Sequence, residues 1–233
     1  MHPNAAKPIQ ILVVSSYGIP CGIAQYAEHL VPVLETLRPS EYKIEVAALD
    51  VRLLKTHTRT GRKLAKQHLH DIVEKAKSAD VVNVQLEPGL FGSAPFEIRR
   101  RLKKLLDASP KVIITHHTVL DLRDAAWSIP WTRRQLYSLA RNFTMVYVLG
   151  WLYRYCRVRP DKFFHVLQTR MDERALTLLG ISASTIAAQP LSFLSESAVD
   201  RSFDAAKTAL PKLPEDAVVI GAFGFLSSYK GFE

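Results

Sequence analysis

The sequence predicts an α/β fold built on a doubly wound parallel sheet, and three observations predict it. Short apolar runs rich in β-branched side chains recur along the chain, as strands covered on both faces do. Between them lie stretches whose apolar residues recur at helical spacing. Each run then stops at a loop of glycine, histidine or other polar residues, on the sheet edge where such folds bind ligands.

Ile9 and residues 11–14 form the first run, which stops at Ser15-Ser16-Tyr17. Residues 18–22, Gly-Ile-Pro-Cys-Gly, follow as a loop. Ile23, Ala27, Leu30, Leu34 and Leu37 recur at spacings of four, three, four and three, the apolar stripe of a helix. Pro32 sits within that stripe, where a missing backbone donor predicts a kink. Gly22 would let the backbone approach a ligand above the strand, and the free N–H groups of the helix start would favour an anion.

Residues 42–49 read as a second strand and 52–60 as a polar, basic loop. A helix is predicted over 61–78, with Leu64, Leu69, Ile72, Val73 and Ala76 on its inner face. Val81-Val-Asn-Val84 is a third strand, with 85–92 as the loop beyond it. Residues 96–106 read as a helix carrying the basic run 99–104, and 112–115 as a fourth strand that ends at His116-His117-Thr118. A basic helix over 131–142, a fifth strand over 144–149, a sixth over 163–167 and a helix near 172–179 complete a first domain over 1–190. The loops at 15–22, 85–92 and 116–120 would converge on one crevice.

Residues 191–216 read as a linker. Over 217–226, Val218, Val219, Ile220, Phe223, Phe225 and Leu226 form another apolar run. Full burial of those six side chains would contribute roughly 9–18 kcal/mol, which a lone strand cannot realise. A second α/β domain is therefore predicted to begin near residue 217, truncated after its first strand at 217–233.

Composition narrows the function. Of the 233 residues, 48% are hydrophobic and 23% charged, which is globular. The longest apolar run, about 143–153, is short of the roughly 20 residues of a membrane span. Residues 1–8 lack the basic and apolar regions of a signal peptide, and two cysteines suit a reducing, cytoplasmic compartment. A net charge of +9 points to an anionic partner. The basic runs at 99–104, 133–134 and 154–159, interleaved with Trp127, Trp131, Trp151 and Tyr153, suit contact with an anionic membrane surface. No RNA-binding module is recognisable, so nucleic acid is not an expected partner. His68 and His70, two apart on a helix, face away from one another and do not suggest a shared metal ion.

Four stretches carry a resemblance to a known family. They are residues 11–30; Val84-Gln-Leu-Glu-Pro-Gly-Leu-Phe-Gly92; Val112-Ile-Ile-Thr-His-His-Thr-Val-Leu120; and Ile220-Gly-Ala-Phe-Gly-Phe-Leu-Ser-Ser-Tyr-Lys-Gly-Phe232. In this order they resemble the retaining glycosyltransferases of the two-domain GT-B architecture, family-4 type. The match spans that family's amino-terminal, Rossmann-like domain and only the first strand of its second domain. It implies transfer of a sugar, with retention, from a nucleotide-diphosphate donor to a glycan or lipid-linked acceptor. It further implies that His117 is the catalytic residue at the transfer site, that Gly22 and Lys230 bind the donor phosphates, and that Gln85, Glu87 and His116 lie on the acceptor side.

No cofactor is implied beyond the nucleotide sugar as co-substrate. No Asp-x-Asp pair is present, so no metal-held diphosphate is expected. The chain departs from the family at Cys21-Gly22, where many relatives carry two glycines, and at Phe225, where many carry arginine. Residues 187–192 are a degraded form of the family's Pro-His-Gly turn, and the paired glutamates of the donor domain are absent. The chain alone is accordingly expected to be inactive. The alternative reading is a non-catalytic module that binds glycan, lipid or a partner protein, and a third, less favoured one is an RNA-binding domain resting on the basic stretches.

Overall fold

The computed structural model describes residues 7–120 and 133–189, all within the first of two units into which the chain divides, Met1–Leu191 and Ser192–Glu233. The expected linker, the run at 217–226 and Lys230 lie outside the described residues, as do Trp127 and Trp131.

Strands β1 (Ile9–Ser15), β2 (Tyr42–Ala48), β3 (Val81–Leu86), β4 (Lys111–His116), β5 (Phe163–Leu167) and β6 (Ile186–Ala188) form one sheet in the order β2-β1-β3-β4-β5-β6. Every neighbouring pair is parallel, so the domain is α/β and Rossmann-like. The order reverses between β1 and β3, the switch point at which open sheets of this kind accept ligands.

Alternation along the strands splits the side chains between two faces. Leu12, Val14, Val82, Val84, Val112, Ile114, Phe163 and Leu167 enter one continuous apolar core. Helices α3 (Arg59–Ser78), α4 (Pro95–Ala108), α5 (Arg133–Arg157) and α6 (Arg170–Leu178) fill it with Ala65, Ile72, Leu102, Leu105, Leu149, Leu152 and Leu176, among others. Helix α1 (Gly22–Leu37) packs on the other face, beside β1 and β2. Its buried residues are Ala24, Ala27 and Val31. Of the expected stripe Ala27 is buried, Ile23, Leu30 and Leu34 are half-buried and Leu37 is 65% exposed, because the small side chains let α1 lie close to the sheet. The helix also continues through Pro32 as one element.

Other boundaries differ from the sequence reading for local reasons. Residues 52–60 are a loop only over 55–58: Asp50 accepts a hydrogen bond from Leu53 N–H (2.8 Å) and starts α2 (Val51–Leu54). Thr58 Oγ1 accepts from Gly61 N–H (3.1 Å) and starts α3 two residues early. Both are ordinary N-cap signals. On α3 it is Ala65, not Leu64, that faces inward, and Leu64 is 55% exposed. The expected strand over 144–149 is the middle of α5. Val148, Leu149, Leu152, Tyr153 and Cys156 are buried at helical spacing, and the parallel β4–β5 pair requires a crossover that this helix supplies. Among the described residues no helix is long and apolar enough to cross a membrane.

The basic run on α4 is not one solvated face. Arg101 is buried and donates from Nη1 to Leu54 O and Phe91 O, each at 2.7 Å. Gly92 makes room for it: a Cβ there would lie 2.7 Å from that nitrogen, and its φ of +145° is one L residues avoid. Arg99 instead packs over the rings of Tyr147 and Trp151 on α5. Tyr153, expected at a membrane edge, belongs to the core, where its hydroxyl accepts from Leu120 N–H.

Candidate functional site

The site lies at the carboxyl rim of the sheet, on the α1 side of β3, β4 and β5. It is assembled from strand ends, because alternation brings Asn83, Gln85, Thr115 and His117 onto that one face. Gln85, read as a loop residue, is the fifth residue of β3 and fully buried. Its Nε2 donates to Asn83 Oδ1 (2.6 Å), and Asn83 Nδ2 reaches Thr115 Oγ1 (3.4 Å).

His117 stands at the end of this polar row. Its backbone N–H continues the strand pairing to Leu86 O (3.0 Å). Its Nε2 lies 2.8 Å from Gln85 Oε1 and its Nδ1 3.3 Å from Gln168 Nε2. The two amides match one tautomer: Nε2–H donates to the Gln85 oxygen, and Nδ1 accepts from the Gln168 amide. Burial pushes the imidazole pKa down to about 4, so the ring is neutral near pH 7. Tyr26 of α1 meets it edge to face, with ring centroids 5.3 Å apart. Glu87, after β3, accepts a hydrogen bond from the Thr118 hydroxyl and ties the β3 and β4 loops together.

Gly22 is one turn of α1 before Tyr26 and opens the helix. Cys21 supplies no side-chain cap, and Gln25 N–H is the first to bond back, to Cys21 O (3.0 Å). Among the described residues the N–H groups of Gly22, Ile23 and Ala24 have no acceptor. The first turn also holds no acidic side chain. Gly18 (φ +67°) positions the preceding loop, its N–H bonded to Glu28 Oε1 (2.8 Å).

Gly22, Gln85, Glu87 and His117 therefore border one rim, joined through Tyr26 and Thr118. His116 does not join them. Neighbouring strand residues face opposite ways, so its ring enters the core, 1% exposed, with Nε2 3.0 Å from His165 Nδ1. Desolvation holds His116 well below the usual imidazole range and pulls His165 down to about 4. His116 Nδ1 and His165 Nε2 have no hydrogen-bond partner among the described residues. His68 and His70 also part company: His68 Nε2 accepts Asp50 N–H (3.0 Å), and His70 faces Glu74 at 3.6 Å.

Sequence reasoning missed Tyr26, Gln168, Thr118 and Asn83. Gln168 directly follows β5, so the strand-end rule could have found it. Asn83 is a polar residue inside an apolar run, a signal that its face meets other polar groups.

No protein-family model matches the chain, and no curated protein matches it. Among solved structures it is similar to Anabaena Alr3699/HepE in complex with UDP-glucose, at 14% identity and a TM-score of 0.44, over 96% of this chain and 55% of that one. The same protein in complex with UDP and glucose gives 13% identity and a TM-score of 0.44, with the same coverage. The chain thus spans little more than half the length of the structures it is similar to.

Proposed function

We propose that this chain is the acceptor-side domain of a glycosyltransferase that takes its sugar from a nucleotide-diphosphate donor. One observation carries the reading: a neutral, doubly held His117 shares a rim with an uncapped, acid-free helix start at Gly22. In such a transfer the acceptor oxygen bonds to the anomeric carbon, the bond from that carbon to the phosphate oxygen breaks, and the acceptor proton is lost. Negative charge develops on the departing diphosphate. The N–H groups of Gly22, Ile23 and Ala24 would stabilise it, since a helix start favours anions by about 0.3–1 kcal/mol or more.

His117, with Nε2–H turned to Gln85, would line the sugar, while Glu87, fixed by Thr118, would contact the acceptor. Gln85 would act as a positioning residue through His117. Lys230 would add a cation to the diphosphate, and retention of configuration follows the family resemblance alone. The acceptor class proposed is a glycan or a lipid-linked sugar.

Titration with UDP-glucose and UDP tests the reading. A Cβ at Gly22 would meet nothing within 4 Å. Gly22→Ala should therefore keep the thermal midpoint of the parent but weaken UDP binding at least fivefold. Equal affinity of both proteins for UDP, or no binding by either, would overturn the assignment of the helix start to a donor phosphate.

A further inference from the structure

A second feature lies away from the rim, on the helical side of the sheet. Helices α3 and α4 pack against each other and border a groove of about 950 Å³. Its floor includes Leu69, Val73 and Ala108. Its walls hold seven Lys or Arg side chains and three carboxylates, which concentrates there a net +4 of the chain's +9.

The carboxylates are already engaged. Glu74 pairs with Lys77 (2.7 Å) and His70 (3.6 Å), Glu97 faces Arg101 (3.9 Å), and Asp107 pairs with Lys103 (2.5 Å) and accepts the Tyr155 hydroxyl. Arg62, Lys63 and Lys66 on α3, and Arg100 and Lys104 on α4, have no ion pair among the described residues, and all five are exposed. Arg62 and Lys66 are four residues apart, as are Arg100 and Lys104. Each pair spans about 6 Å along its helix, so the two walls present cations in matching steps. Neighbouring like charges on a helix repel one another, and a bound anion would relieve that repulsion.

We propose that the α3–α4 groove binds a soluble oligophosphate, with Arg62, Lys66, Arg100 and Lys104 as the contacts. A concave groove with unpaired cations on both walls suits a short chain of closely spaced charges. A bilayer surface would instead call for large exposed apolar side chains beside the cations. Exposed Leu64 and Phe96 are not among the groove's lining residues. This inference is independent of the sugar-transfer reading.

Inorganic tripolyphosphate, titrated into the full chain at low salt, is the probe. The expected result is saturable binding that UDP does not displace and that weakens as salt rises. Lys66→Gln/Arg100→Gln/Lys104→Gln should weaken it at least tenfold. Arg52→Gln/Lys55→Gln/Arg154→Gln, which removes the same charge outside the groove, should change it less than twofold. Hydrogen exchange should slow over α3 and α4 when tripolyphosphate is bound. Equal binding by the two triple variants, displacement by UDP, or a preference for phosphatidylglycerol vesicles or a single-stranded oligonucleotide over tripolyphosphate would each overturn the proposal.

Discussion

His117 engages both ring nitrogens with amides, and the amide nearer the sheet is itself held by Asn83. The ring therefore depends on its support. Gln85→Leu would leave the His117 Nε2–H and the Asn83 Oδ1 without their partner in a largely buried setting. We expect a loss of roughly 1–3 kcal/mol in urea denaturation, the cost of an unpaired buried polar group. Gln168→Ala, at a longer contact of 3.3 Å and a half-buried position, should cost less. An unchanged midpoint for Gln85→Leu would show that the amide does not hold the ring.

Helices and strands were legible where one principle dominated. The β-branched runs of β1 and β4 could only be strands of a covered sheet, and Thr58 and Asp50 announce their helices once caps are considered. Residues 144–149 mislead because two valines and a tyrosine in six residues satisfy strand preference. Only the longer stretch through Cys156 reveals the helical period. The face of α1 is legible only in part: Ala27 of the expected stripe is buried, but close packing also selects Ala24 and Val31 over the leucines.

At this scale the least legible feature is Arg101, indistinguishable in a basic run from its exposed neighbours. It joins α4 to the end of α2 and to Phe91, after β3. Arg101→Met should cost about 2–4 kcal/mol, because hydrogen bonds to a charged donor contribute about 1.5–3 kcal/mol each. Gly92→Ala should cost a similar amount by displacing the guanidinium. The double variant should lose less than the sum of the two in the same denaturation assay, since both act on one contact.

The whole domain should be sensitive to mild acid. His116, His117 and His165 all have folded-state pKa values pulled below 6.5 by burial. A base held below its unfolded pKa contributes stability that is fully present above that value and declines as pH falls toward the folded one. Between those limits the unfolded chain binds more protons. For His165, with a pKa near 4, moving from pH 7.5 to 5 should remove about 2 kcal/mol. Urea midpoints measured at the two pH values check this, and His165→Phe should lessen the difference, with His116 and His117 supplying the remainder. From sequence, only the fold class and the meeting of three loops could be drawn at this scale. The histidine pair could not, because it needs the register of β4 against β5, in which Ile114 lies opposite His165.

The His116–His117 doublet has a genetic consequence. One imidazole lies in oil and the other lines a wet ledge, and only the two-residue rhythm of β4 keeps them apart. An insertion or deletion of a single codon within residues 111–115 would exchange their surroundings. It would send the ledge ring inward and strand the oily one outside, together with any other β4 residue that follows the change. Length polymorphism in this segment should therefore be far less tolerated than substitution of either histidine.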